Sequence, residues 1–174
     1  QAEHDNLAQC ILISKNKNIL DETKKEVLNQ LKELPRSSIA KKSLMMNGLL
    51  IQANSDKKII EIINKIGPEH LELNVKNYKY FAGKIKNSGS VCLGKYAVMA
   101  MTDYGVPGSN HVLPTNTTSK FSSGLNVSEF MKKISYITLS KKGIDKLGPS
   151  AITLANYEGL HGHAQSIIKR IRRK

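Results

Sequence analysis

The chain has 174 residues, enough for one ordinary domain with or without a tail, and a hydrophobic fraction of 40% that supports a packed core. No stretch reaches the roughly 18 consecutive apolar residues of a membrane span, so we expect no membrane partner. The formal net charge of +13 raises the alternative of a basic nucleic-acid-binding module. However, the lysines are scattered and not interleaved with stacking aromatic residues, so nucleic acid is not an expected partner.

The first third of the chain is predicted to alternate between strand and helix. An apolar run at residues 10–13 has the length of a buried strand. Asp21 is then predicted to cap a helix that continues to Leu34, where Pro35 ends it. A short helix at residues 39–46 and a strand at residues 49–53 follow.

The next segment repeats this alternation. Ser55 is predicted to cap a helix with isoleucines on one face, which Gly67-Pro68 ends. Strands are predicted at residues 71–75 and 90–93, with a helical piece at residues 78–85 between them. Alternating strands and helices predict an α/β fold: a layered, incomplete Rossmann-like body with largely parallel strand pairing.

The last third changes character. Residues 103–123 are rich in Gly, Pro, Ser, Thr and Asn and are predicted to form a long loop, of a length that is usually functional or disordered. Helices are predicted after it at residues 127–135, 144–157 and 160–172. We therefore divide the chain into an α/β body at residues 1–123 and a C-terminal helical tail at residues 124–174.

The side chains able to carry chemistry are few. Glu69 and His70 place a carboxylate beside an imidazole directly after a helix stop, a combination that suits acid–base work but is also found in ordinary exposed turns. The remaining histidines, His4, His111, His161 and His163, stand near further acids and amides. Zinc accepts such ligands, but composition alone leaves polar loops equally open. The only cysteines, Cys10 and Cys92, are expected to be reduced thiols of a cytosolic protein and not zinc ligands.

Six strings, in order, resemble the histidinol dehydrogenase family over essentially the whole chain. They are Gln1-Ala2-Glu3-His4-Asp5, Glu33-Leu34-Pro35-Arg36, Gly67-Pro68-Glu69-His70-Leu71, Ser88-Gly89-Ser90-Val91, Asn110-His111-Val112-Leu113-Pro114-Thr115 and Glu158-Gly159-Leu160-His161-Gly162-His163. The third and fifth strings are the most specific. The resemblance implies an NAD-dependent oxidation of L-histidinol through histidinal to L-histidine, the last step of histidine biosynthesis.

The resemblance also implies roles for individual residues. Glu69 and His70 match the catalytic acid–base pair of the family. The positions that match its ligands to one zinc ion per subunit are Gln1, His4, Asp103 and His163. The residues that match its substrate pocket are these four together with His70, His111 and Glu158. The family is cytoplasmic and homodimeric with shared active sites, so the tail is expected to pack on the partner subunit.

Two features depart from the family pattern. The loop resembles a family pattern that reads Asp-Tyr-x-x-Gly-x-Asn-His, and the stretch from Asp103 to His111 holds one residue more. No Gly-rich dinucleotide loop occurs in this chain, so no cofactor-binding residue is assigned and the NAD site is expected in a missing amino-terminal part. Because the chain begins at Gln1 inside a motif, we expect a carboxy-terminal fragment that is inactive in isolation. A degenerate, inactive remnant of the enzyme is the main alternative.

Overall fold

A computed structural model of the chain describes residues 1–105 and 110–171. Its packing divides the chain into two units, a body at Gln1–Glu129 and a tail unit at Phe130–Lys174. The sequence analysis set this boundary after residue 123. The part of the chain between Asp103 and His111 that would accommodate the extra residue, residues 106–109, lies outside the described residues.

The first sheet of the body has two parallel strands, β1 (Ile11–Ser14) and β2 (Leu49–Gln52), joined through two helices, α1 (Lys17–Gln30) and α2 (Ser37–Asn47). The predicted cap of α1 is wrong. The carboxamide of Asn16, directly after β1, accepts from the backbone N–H of Asn18 at 2.9 Å and starts the helix there. The helix also ends earlier than predicted, because the chain continues past Gln30 through tight turns, with Glu33 N–H donating to the Gln30 carbonyl.

The second sheet pairs β3 (His70–Leu73) with β4 (Ser90–Leu93), also in parallel. It follows α3 (Asp56–Ile66), which Ser55 caps and Gly67 ends, as predicted. Gly67 adopts the left-handed conformation. The crossover between β3 and β4 carries α4 (Tyr78–Ala82). The core of this part is a buried cluster of Ile63, Leu73 and Phe81, contributed by α3, β3 and α4.

The region after β4 differs from the prediction in two ways. A helix, α5 (Met99–Tyr104), extends into the stretch predicted to be loop, so that Asp103 lies on its last turn. The helix predicted at residues 127–135 is wrong, because only a short 3₁₀ helix, Val127–Phe130, forms there. Residues 131–140 carry β-branched and aromatic side chains that are exposed, so neither propensity nor packing favours a helix.

The tail unit is a helical hairpin of α6 (Lys141–Tyr157) and α7 (His161–Ile171). The two helices pack closely at Gly148, where a Cβ atom would come within 2.5 Å of Ile171 Cδ1. Arg172, the predicted last residue of α7, lies outside the described residues. None of the helices in the described part of the chain combines the length and apolar character needed to cross a membrane. The predicted α/β fold class with a helical tail is confirmed.

Candidate active site and metal ligands

The Glu69–His70 pair lies where the chain enters β3. Gly67 has φ of 61°, which turns the chain out of α3, and β4 then fixes the turn by two backbone hydrogen bonds. Gly89 N–H donates to the Pro68 carbonyl at 2.9 Å, and Ser90 N–H donates to the Glu69 carbonyl at 2.8 Å. The backbone that carries the pair is therefore held by hydrogen bonds from Gly89 and Ser90.

The two side chains of the pair are close to each other and differ in exposure. Glu69 Oε1 lies 3.8 Å from His70 Nε2, and the side chains are 33% and 18% exposed. His70 Nδ1 is buried and has no hydrogen-bond partner among the described residues. Buried polar atoms are normally paired, so this nitrogen retains an unused capacity to bind a proton donor or a proton acceptor.

The segment containing the Asn110–Thr115 motif packs directly over this turn. A Cβ atom on Gly89 would meet the Glu69 carbonyl oxygen at 2.7 Å and Pro114 Cδ at 3.1 Å, so only glycine allows this approach. Pro114 is buried, and Ser119 lies buried with its Oγ against Gly67. Gly89 thus lies between the two most specific strings of the sequence analysis, close to Glu69 of one and Pro114 of the other.

Asp103 and His111 are also brought together. His111 Nε2 lies 2.9 Å from the backbone carbonyl oxygen of Asp103, within hydrogen-bond distance, and 3.7 Å from its carboxylate Oδ1. The Asp103 side chain is 20% exposed. Burial, followed by the negative charges of the Glu72 and Asp103 carboxylates, raises the pKa of the Cys92 thiol on β4.

Glu72 is a residue that the sequence analysis did not single out. It lies two positions after His70 on β3 and therefore on the same face of the strand. Its Oε1 accepts from the backbone N–H of Met99 at 2.6 Å, which supplies the side-chain cap that α5 otherwise lacks. Glu72 thereby ties the strand of His70 to the helix of Asp103. The two-residue spacing from His70 could have placed Glu72 on the same face of the strand. Its contact with Met99 could not have been predicted, because Met99 is far away in sequence.

The other predicted site residues are exposed. Gln1 and His4 lie in a turn closed by His4 N–H donating to the Gln1 carbonyl at 3.2 Å. In the tail unit, Glu158 caps the end of α6, and His163 lies on the first turn of α7. Their exposure leaves them accessible to a ligand.

The metal ligands implied by the resemblance are divided between the two units of the chain. Within residues 1–105 and 110–171, no three His, Cys, Asp or Glu side chains are placed to hold a metal ion. Gln1, His4 and Asp103 belong to the body, and His163 belongs to the tail unit. By donor chemistry, two imidazoles, a carboxylate and an amide oxygen fit zinc, which accepts nitrogen and oxygen ligands.

Comparison with known proteins decides the family. The sequence profile of histidinol dehydrogenase matches residues 1–171. The chain belongs to the histidinol dehydrogenase family. It is 71% identical over 174 residues to the histidinol dehydrogenase of Pelagibacter ubique, covering all of this chain and 40% of that relative. It is 44% identical over 167 residues to that of Listeria monocytogenes, covering 96% of this chain and 39% of the relative.

A solved structure supports the same assignment to the histidinol dehydrogenase family. The crystal structure of histidinol dehydrogenase from Elizabethkingia anophelis matches with a TM-score of 0.82 and 37% identity. The match covers 98% of the present chain and 39% of that structure. The chain therefore spans about 40% of the length of the histidinol dehydrogenases that it matches.

Proposed function

We propose that the chain is the carboxy-terminal part of a cytoplasmic histidinol dehydrogenase that oxidises L-histidinol through histidinal to L-histidine. The observation that carries this proposal is the Glu69–His70 pair, 3.8 Å apart at the start of β3, in a chain that matches the family along residues 1–171. Each oxidation removes a hydride and a proton from carbon and oxygen. When bound, NAD supplies the hydride acceptor, and we place its site in the part of the relatives that this chain does not span.

The two residues of the pair take different roles in this proposal. His70 accepts the proton of the substrate hydroxyl in the first oxidation, for which an imidazole is suited near neutral pH. Glu69 takes a proton from the water that attacks the aldehyde, giving the hydrate whose oxidation yields the carboxylate. Backbone hydrogen bonds from Gly89 and Ser90 hold the turn that carries both groups, whose side chains lie 3.8 Å apart.

We further propose that one zinc ion is held by Gln1, His4, Asp103 and His163. When bound, zinc would hold the imidazole and amine of the substrate in place. Because His163 lies on the separate tail unit, we propose a homodimer in which His163 of the partner subunit completes the ligand set. Glu158 of the partner subunit would join His70 and His111 around the substrate.

The test uses a full-length hybrid in which this chain replaces the matching region of the Pelagibacter ubique relative. With NAD and zinc, the hybrid should oxidise histidinol, whereas the isolated chain should be inactive. General acid–base groups contribute about 10²–10⁴-fold in rate. His70→Asn should therefore reduce oxidation of histidinol by a factor in that range. Glu69→Gln should reduce oxidation of histidinal by a similar factor.

The matched control is Glu22→Gln, an exposed carboxylate on α1 that should leave both rates unchanged. Rates are measured separately from histidinol and from histidinal. Equal losses from both substrates in both variants would contradict the assigned roles. A folded hybrid without any turnover would instead favour the inactive remnant.

A further inference from the structure

Three side chains at the start and along one face of α2 donate hydrogen bonds to the segment that contains Gln1 and His4. Arg36 Nη2 donates to the His4 carbonyl at 3.3 Å, and Asn47 Nδ2 donates to the Asn6 carbonyl at 3.3 Å. Between them, Ser43 Oγ donates to the Ala8 carbonyl at 2.8 Å. Spacings of seven and four residues place all three on the same side of a helix.

The accepting segment depends on these bonds for its path. Residues 1–8 form neither helix nor strand, and their internal hydrogen bonds are short-range turns such as Ala8 N–H to the Asp5 carbonyl. The three accepting carbonyls belong to alternate residues, so α2 fixes the segment at regular intervals. Ser43 is fully buried, with 0% of its surface exposed, so water cannot replace its hydroxyl as the donor.

We propose that Arg36, Ser43 and Asn47, the α2 clamp, are positioning residues for the zinc ligands Gln1 and His4. This inference rests on the proposed function, because it assumes that these two residues bind zinc. The clamp residues donate to backbone carbonyls and do not act as ligands. They fix the Cα positions from which the His4 imidazole and the Gln1 amide reach the metal. Arg36 belongs to the Glu33-Leu34-Pro35-Arg36 string, which has no part in the proposed reaction. The clamp gives Arg36 a positioning role.

Supporting residues of this kind commonly change metal affinity by about 10–100-fold. In the full-length hybrid, Ser43→Ala and Arg36→Ala should each weaken zinc binding by at least about 10-fold. Arg36→Lys retains a donor and should recover part of that loss. The matched control is Ser38→Ala, which removes an exposed hydroxyl from the same helix and should leave zinc affinity unchanged.

The measurement is the zinc dissociation constant by competition with a chromophoric chelator, together with urea unfolding of each variant. Wild-type zinc affinity in folded Ser43→Ala and Arg36→Ala would overturn the positioning role while leaving the zinc site intact. If Ser43→Ala does not fold, the exposed Arg36→Ala and Arg36→Lys pair decides the question in the same way. A wild-type hybrid that binds no zinc would refute the proposed function, and with it the clamp's role toward the metal.

Discussion

Substitution of Gly89 by alanine should move the turn that carries Glu69 and His70 without altering either side chain. The new Cβ would lie 2.7 Å from the Glu69 carbonyl oxygen, whereas ordinary van der Waals contact begins at 3.4 Å. The Glu69 carbonyl must therefore yield by about 0.7 Å, the difference between these distances, and Pro114 Cδ, at 3.1 Å, must yield by about 0.3 Å. The carbonyl cannot move independently, because it accepts from Ser90 N–H and carries Glu69 and His70 with it.

The magnitude follows from two opposing effects. Overpacking typically costs about 1–3 kcal/mol. Alanine recovers about 0.4–1 kcal/mol by reducing the freedom of the unfolded chain, since Gly89 has no positive φ. We expect a net loss of about 1–2 kcal/mol in the free energy of unfolding. Displacement of reacting groups by about 1 Å can cost about 10²-fold, so a loss of at least about 10-fold in kcat is expected for histidinol oxidation.

The assay compares Gly89→Ala with Gly83→Ala in the full-length hybrid. Gly83 follows α4 in a right-handed helical conformation, and its nearest Cβ contact would be 3.7 Å, so alanine fits there. Urea unfolding gives the stability, and steady-state oxidation of histidinol gives kcat. Unchanged stability and kcat in Gly89→Ala would refute the argument that this close approach holds the acid–base pair in place.

Two further predictions concern the metal and the dependence of stability on pH. His163→Ala should remove zinc from the hybrid without unfolding it, because His163 is exposed, whereas the neighbouring variant His161→Ala should retain zinc. Elemental analysis measures the zinc content, and circular dichroism reports whether each variant is folded. Stoichiometric zinc in folded His163→Ala would show that His163 is not a zinc ligand. The Lys15 ammonium, 2.6 Å away and hydrogen-bonded to the carboxylate, lowers the pKa of Asp56, so the folded state favours its ionised form. This contribution is present above the ordinary Asp pKa of about 3.9 and is lost as the pH falls through the lowered value in the folded state. Asp56→Asn should therefore be less stable than the wild type in urea near neutral pH and equally stable in strong acid, and an equal difference at both would contradict this origin.

The elements that the sequence predicted best are those with strong local signals at both ends. Ser55 begins α3 and Gly67-Pro68 ends it, because capping and left-handed termination involve residues close together in the chain. The bounds predicted for β4, residues 90–93, are those observed. Where two polar residues could each cap a helix, as for Asn16 and Asp21, the local pattern was ambiguous and the prediction was wrong. The helix predicted at 127–135 failed because its stability would have required packing that its exposed side chains do not make.

The sequence by itself also determined the candidate chemistry, since Glu69 and His70 are covalent neighbours and their adjacency requires no fold. Only the tertiary structure decided what supports them. The Glu72–Met99 hydrogen bond joins residues 27 apart, and the Ser43–Ala8 bond joins residues 35 apart. Periodicity and capping describe relations within about one helical turn or a few strand residues. Contacts between distant segments depend on how α2, α5 and the Pro114 segment pack against the sheets, because packing alone sets the distances between donors and acceptors that are far apart in sequence.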